Sequence, residues 1–390
     1  MTNAFRIFAA ALLLYLAFAP FSFARTPTTR KAIVAYVFAK DAVLAPNEVI
    51  AGSLTRVNYA FANIENGKMV EGFAHDRENF QVLHNLKQQN PALEIVVSVG
   101  GWTWSGAFSD MVLTAASRKV FIDSVIQFVR DHQLDGLDVD WEYPGSVGNG
   151  NVFRPEDKQN YTLFLKELRN RFDAEEKLLG RHLVTSIAAG ASAEFISHTE
   201  MSHVQRYVDS VNLMSYDYYE SSSDALTGHH APLYTNPADP KHVSADASVK
   251  LFEQAGVPAH KLILGVPFYG RAWADVGDTN HGLYQPGKNA TVWATYHDIA
   301  QTFLSNGYVR YWDSVASAPY LYNSATRTFV SYEDPESIAA KCQYVRTHHL
   351  GGIMFWDYLS DTAEHVLLNT INRGLAPSPG SQTANATGRH

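Results

Sequence analysis

Asp138, Asp140 and Glu142 stand at every second position of the run Asp135-Gly136-Leu137-Asp138-Val139-Asp140-Trp141-Glu142-Tyr143-Pro144. With Val139 and Trp141 between them, the run has the alternation of a strand. Alternate strand side chains share one face, so three carboxyl groups line one side at intervals of ~6.6 Å. Carboxylates this crowded repel one another, and at least one should hold its proton to unusually high pH. A carboxyl group still protonated near neutrality is what a general acid requires. Two other readings fit the same comb. A polar surface strand also alternates, but rarely sets three acids against Leu, Val and Trp. A site for Mg²⁺ or Ca²⁺ would want oxygen ligands from several directions rather than from one row.

Positioning such a row takes a strand inside a larger framework. Short apolar segments at 32–38, 56–62, 94–100, 136–142, 182–189, 210–217, 261–269 and 351–357 are candidate strands. Amphipathic segments at 116–132, 155–179, 245–255, 335–348 and 362–374 are candidate helices. Eight strands interleaved with helices predict an α/β fold, a closed (β/α)8 TIM barrel rather than an open doubly wound sheet. No dinucleotide fingerprint follows the first strand, which also disfavours the open sheet. The connection 271–334 is far longer than an ordinary loop, and its Tyr, Trp and Gly content predicts a small α+β insertion after strand seven. The barrel unit is expected over 31–375. Residues 376–390, rich in Pro, Ser, Gly, Asn and Thr, are expected to be disordered. No repeat, second domain or separate carbohydrate-binding module is visible.

Composition narrows the class. The chain has 390 residues, 46% hydrophobic and 18% charged, an ordinary globular balance. Its net charge of -8 and the lack of a basic stripe argue against a nucleic-acid partner. Residues 1–24 have the pattern of a secretory signal: Arg6, an apolar run over 7–19 too short for a confident span, and small residues at Ser22-Phe23-Ala24. An uncleaved anchor is the alternative. A secreted or periplasmic protein without stable membrane association is expected. Cys342 is the single cysteine, so no intrachain disulfide forms, and its helical setting suggests burial rather than catalysis. Asn160, Asn289 and Asn385 open glycan-acceptor triplets. The pairs His229-His230 and His348-His349 lack the spacing and company of metal ligands, and no metal or cofactor is expected.

In a barrel of this kind the reacting groups gather at the C-terminal strand ends. Those ends carry Tyr36; Tyr59-Ala60-Phe61; Ser98-Val99-Gly100-Gly101-Trp102; Glu142; Met214-Ser215-Tyr216-Asp217; Tyr269-Gly270-Arg271; and Phe355-Trp356-Asp357. Each alone has a plain reading: glycines that relieve crowding, a satisfied buried hydrogen bond, aromatic core. Together they resemble family-18 glycoside hydrolases, the chitinase family. The signature Asp-x-x-Asp-x-Asp-x-Glu is matched by Asp135, Asp138, Asp140 and Glu142, and Tyr143-Pro144 matches the chitinase branch. Ser98 to Trp102 is similar to the family's second signature, and Met214 to Asp217 to its Met-x-Tyr-Asp. The resemblance covers about residues 31–375.

The resemblance implies hydrolysis of chitin or chito-oligosaccharides with retention, the substrate's own N-acetyl oxygen attacking the anomeric carbon. It makes Glu142 the proton donor and later the base. Asp140 would bind the acetamido N–H, with Asp138 deeper and sharing a proton with it. Tyr216 would position the acetamido oxygen. Asp217 and Arg271 would contact the sugar at the cut, and Gly100, Gly101, Trp102, Thr103 and Met214 would shape the donor pocket. Trp356 would floor the cleft, Trp102 and Tyr143 would wall it, and Phe73 would stack on a more distant ring. Tyr36 and Phe61 complete the expected binding set. Flat sugar C–H faces stack on such rings. Non-proline cis peptide bonds are implied at Ala60-Phe61, Glu142-Tyr143 and Trp356-Asp357. One departure stands out. Many relatives place a Gly and a Trp after Tyr-Asp, for sugars on the leaving-group side; here the chain reads Tyr218-Tyr219-Glu220-Ser221-Ser222-Ser223. Tyr219 or Glu220 is expected to substitute. The rivals are a chitin-binding lectin on the same fold, which typically lacks the acid found here at Glu142, and an endo-β-N-acetylglucosaminidase acting on protein-linked glycans. A monomer is expected.

Overall fold

The computed structural model describes residues 30–377. The expected signal, 1–24, lies outside them, as does the tail beyond Pro377. Among the described residues, eight parallel strands close on themselves. They are β1 (Ala32–Val37), β2 (Arg56–Glu65), β3 (Glu94–Gly100), β4 (Gly136–Asp140), β5 (Val184–Gly190), β6 (Ser210–Met214), β7 (Leu262–Pro267) and β8 (Gly352–Trp356). Strand β1 closes the ring, pairing with β8 at Ala32↔Gly352 and with β2 at Val34↔Arg56. Each strand is covered on both faces, by barrel interior and by helices, so apolar runs replace strict alternation. Leu137, Val139 and Trp141 point outward into the helix layer and are fully buried there. That turns Asp138 and Asp140 inward.

The helices start and stop for local reasons. Thr114 caps Ala115–Asp131 through a reciprocal box with Ser117, and Asp334 caps Pro335–Thr347 in the same way with Ser337. Pro335 fits the first helical turn, where its missing N–H is not needed. The 23-residue helix Asp157–Leu179 ends at Gly180, whose φ of 68° only glycine adopts without strain.

Several expected boundaries move. Strand β4 stops at Asp140, so Glu142 lies just beyond the ladder. Strand β6 stops at Met214, because Asp217 takes a left-handed φ of 57° and the chain leaves the sheet. The segment expected as one strand over 261–269 divides at Phe268: β7 ends at Pro267, and Tyr269–Ala274 belongs to a second sheet. The last helix is Val366–Leu375, shorter than 362–374 at its start, since His365 at φ 52° breaks the run. Strand β2 runs on into an antiparallel pairing with Lys68–Val70 that no periodicity announced.

The second sheet has five antiparallel strands in the order Lys288–Thr295, Tyr269–Ala274, Thr328–Ser331, Ala318–Asn323 and Val309–Asp313. Its own cluster includes Trp273, Val276, Tyr320, Tyr322 and Phe329. Tyr269 and Arg271, at its first residues, carry this sheet to the rim of the barrel. Cys342 is buried in the helix layer, and burial pushes its thiol up to about 12, which leaves it unreactive.

Candidate active site

The site begins inside the barrel, under the end of β4. Asp138 is fully buried and accepts four hydrogen bonds: Oδ2 from Tyr36 Oη (2.9 Å) and Ser98 Oγ (2.8 Å), Oδ1 from Ser186 Oγ (2.6 Å) and Asn212 Nδ2 (3.1 Å). Burial raises its pKa, opposed by the hydroxyl donors. Both oxygens are thus occupied by β1, β3, β5 and β6. Among the described residues no hydrogen bond joins Asp138 to Asp140; the donors on Asp138 come from neighbouring strands. Alternation along β4 could not reveal that, because the donors come from strands distant in sequence.

Asp140, one step up the same face, is 4% exposed and its Oδ1 has no hydrogen-bond partner. Burial, then the charges of Glu142 and Asp138, hold its pKa well above the carboxylate range. Glu142 follows at the strand exit, its backbone N–H donating to Ser105 Oγ (2.9 Å). Burial, aided by the charges of Asp217 and Glu220 and opposed by a hydrogen bond from Tyr143, raises the Glu142 carboxyl to about 7. It is therefore poised to give a proton near neutrality and to take it back.

Gly100 makes the close packing at this point possible. With φ at 105°, any Cβ there would lie 2.2 Å from the Asp140 carbonyl oxygen. Gly101 is similar, since a Cβ would meet the Phe61 ring at 2.6 Å.

A cavity of about 970 Å³ opens above these groups. Its lining contains Asp140, Glu142 and Tyr216 and, of the expected binding residues, Tyr36, Phe61, Phe73, Gly100, Trp102, Thr103, Tyr143, Met214, Asp217, Arg271 and Trp356. Two expected residues lie elsewhere. Asp138 is beneath the cavity floor, and Gly101 is covered by the Phe61 ring, so Gly101 shapes the site only through what it lets approach. Along one part of the cavity runs an aromatic wall. Trp356 packs on Phe61 (centroids 5.5 Å, planes 20° apart), Phe38 (5.4 Å) and Tyr36 (5.9 Å), and Phe73 continues the wall to Trp104 (4.8 Å). Phe38 and Trp104 had escaped the sequence reading, although the strand-end rule and the Trp-x-Trp spacing pointed to them. The peptide bonds Ala60-Phe61, Glu142-Tyr143 and Trp356-Asp357 are cis.

The part built by the loop after β6 and the second sheet is polar. Asp217 accepts from Arg271 Nε (2.7 Å) and Tyr269 Oη (2.7 Å), and its Oδ1 lies 3.5 Å from His230 Nδ1. Burial pushes Asp217 up, but the hydrogen bonds and positive charge of His230 and Arg271 outweigh it and hold the carboxyl well below the carboxylate range. Tyr269 and His230 were also missed as site residues. Of the two expected substitutes after Asp217, Glu220 lines the cavity and Tyr219 does not. Tyr219 is 1% exposed, donates to Asp239 and packs with the second sheet's cluster. Its aromatic bulk is used for packing. Of the histidine pair, His229 contacts Asp313 (3.2 Å) and His230 faces Asp217.

The family model "Glycosyl hydrolases family 18" matches residues 29–361. The chain belongs to this family. Among its relatives, Chitinase A1 of Niallia circulans is 41% identical over 337 residues, covering 82% of this chain and 48% of its own length. The chain thus spans about half of that relative. Chitotriosidase-1 of Mus musculus is 32% identical, covering 80% of this chain and 68% of its own length. A family-18 N-acetylglucosaminidase from Paenibacillus barengoltzii superposes with a TM-score of 0.82 at 40% identity, covering 88% of this chain and 99% of its own. A glutamine-for-glutamate variant of the class V chitinase of Nicotiana tobaccum, in complex with NAG4, superposes at 0.81 with 28% identity, covering 90% of this chain and 100% of its own. The family match spans β1 to β8, and with them every site residue described above.

Proposed function

We propose that this chain is a chitinase that hydrolyses β-1,4 bonds between N-acetylglucosamine units with retention, using the substrate's acetamido oxygen as nucleophile. The observation that carries the reading is the contrast among the cavity's carboxyl groups. Glu142, at about 7, can protonate the leaving oxygen. Asp140 offers a buried acceptor, Oδ1, with no protein donor, and the acetamido N–H supplies one. Asp217 has both oxygens committed and is a poor nucleophile. Attack then falls to the substrate itself.

In sequence, Glu142 donates its proton as the acetamido oxygen closes on the anomeric carbon. Asp140, whose ionised form burial disfavours, gives its proton to solvent as the acetamido N–H takes up Oδ1, and its carboxylate is then stabilised by the cationic ring of the intermediate. Glu142, now a carboxylate, takes a proton from the incoming water. Tyr216, whose phenol burial and the charge of Asp140 keep protonated, donates to the acetamido oxygen and orients it. Trp356 presents its face to the reacting ring.

The retained acid at Glu142 speaks against a lectin. The decisive assay compares fully acetylated chito-oligomers, fully deacetylated oligomers and a glycoprotein. Cleavage of the first alone, with a β-anomer as first product, is expected. Equal cleavage of the deacetylated oligomer would end the substrate-assisted reading, and preference for the glycoprotein would move the substrate to protein-linked glycans. Export is part of the proposal, supported by Arg6 and the apolar run 7–19, and N-terminal sequencing of the mature protein tests it.

A further inference from the structure

The two sides of the cavity differ in what they can hold, and Glu220 is the residue that makes the difference chemical. It follows β6 by six positions, lines the same cavity as Glu142, and is close enough for its charge to raise the Glu142 carboxyl. Its side chain is 36% exposed, so it can meet a ligand. Oε2 lies 3.6 Å from Arg271 and 3.5 Å from Ser222 Oγ; Oε1 accepts no hydrogen bond from a described residue. Arg271 makes its short contact, 2.7 Å, with Asp217 instead. One guanidinium therefore stands between two carboxyl groups; burial and the charge of Asp217 raise the Glu220 pKa, and Arg271 opposes them. His230 faces Asp217 rather than Glu220, its Nδ1 3.5 Å from Asp217 Oδ1. The other cation of the cavity, Lys40, sits 5.1 Å above the Phe38 ring on the aromatic side. Ser222 and Ser223 continue the wall beside Glu220 and add hydroxyls to its carboxyl group, with Tyr218 in the same lining.

We propose that Glu220 is a specificity-determining residue whose carboxylate receives the C2 ammonium of a glucosamine unit on the leaving-group side of the cut bond. This rests on the substrate-assisted reading, which also locates the unit. The ring that supplies the nucleophile must carry its acetyl group, so a free amine beside the cut can belong only to the leaving-group ring. The substrate class this adds is partially deacetylated chitin, cut between an acetylated unit and a glucosamine.

The test is a digest of a chitosan of mixed acetylation with sequencing of the new chain ends. The wild-type protein should leave new reducing ends that are acetylated, and new non-reducing ends enriched in glucosamine over the polymer by about threefold, the range of a partly exposed ion pair. In Glu220→Gln the enrichment should fall to the polymer's composition, whatever the overall rate, because both ends are read from the same digest. Glu220→Asp should keep part of it. Wild-type protein in 1 M salt should also lose it by screening, which needs no variant. Deacetylated new reducing ends would overturn the underlying mechanism. Acetylated reducing ends with no glucosamine enrichment, or an enrichment that survives Glu220→Gln or high salt, would overturn the role of Glu220 alone.

Discussion

Asp140 and Asp217 face one cavity from the ends of β4 and β6, and their carboxyl groups are held in opposite states. Asp140 is buried with an unpartnered oxygen and two acidic neighbours, so it resists ionisation. Asp217 is ringed by Tyr269, Arg271 and His230 and ionises more readily than a free aspartate. Burial acts on both in the same direction; the donors decide. A carboxylate with donors already in place is a fixed charge that can hold a hydroxyl or tune its neighbours. One without donors is an empty socket whose charged form appears when a ligand brings the compensating group. Under the proposed mechanism Asp140 is of the second kind, because its interaction strengthens as the intermediate turns cationic.

The sharpest way to break this comparison is to remove the proton that moves. Glu142→Gln keeps the shape without a transferable proton, and turnover should fall by ~10²–10⁴-fold while oligomer binding persists. A folded variant with most of its activity would take Glu142 out of the acid role. Asp140→Asn comes next. It should lower kcat by ~10²-fold and leave KM nearly unchanged, since its charge matters mainly in the transition state; the reverse pattern in steady-state kinetics would make Asp140 a ground-state binding group.

Trp356→Ala serves as a control on the aromatic wall. On the proposed reading it removes the ring beneath the substrate, and the ring contacts it loses are those with Tyr36, Phe38 and Phe61. A loss of about 2 kcal/mol, or ~30-fold in kcat/KM, is expected with an unchanged pH profile. Normal kinetics with a lowered Tm would assign Trp356 to packing alone.

Stability against pH sharpens the comparison from the other side. The folded-state pKa of Glu142, about 7, exceeds its unfolded value of 4.5. The folded state therefore binds the extra proton, and this contribution is full below about pH 4.5 and lost as pH rises to about 7. Glu142→Gln should equal wild type in stability near pH 4 and exceed it above pH 7 by on the order of 1–3 kcal/mol. Denaturant titration at the two pH values reads this directly, and a variant no more stable at pH 8 would place the wild-type pKa near normal. Asp217 has the opposite sign: its depressed pKa stabilises the fold above the unfolded carboxylate range and is lost only as pH falls through the folded value. Tyr269→Phe removes one of its donors, and the smallest effect is expected here, a loss of about 1 kcal/mol at neutral pH that disappears in strong acid.

Much of this site was legible before any coordinates. The comb of Asp138, Asp140 and Glu142 is a property of strand periodicity, and the order of motifs at eight strand ends was sufficient for the barrel and the family resemblance. The sequence by itself therefore determined where three carboxyl groups share one strand face and the kind of scaffold that presents them, because alternation is a short-range effect. Tertiary structure decided what state each group is in. Asp138 receives its donors from Tyr36, Ser98, Ser186 and Asn212, drawn from four other strand positions across 176 residues of chain. Tyr269, Arg271 and His230 meet Asp217 only because the second sheet rises beside the barrel. Tyr219 and Glu220 are adjacent in sequence, yet one packs into that sheet and the other faces the cavity. A pKa depends on donors and burial in space, and no spacing along one strand encodes the neighbours that other strands bring.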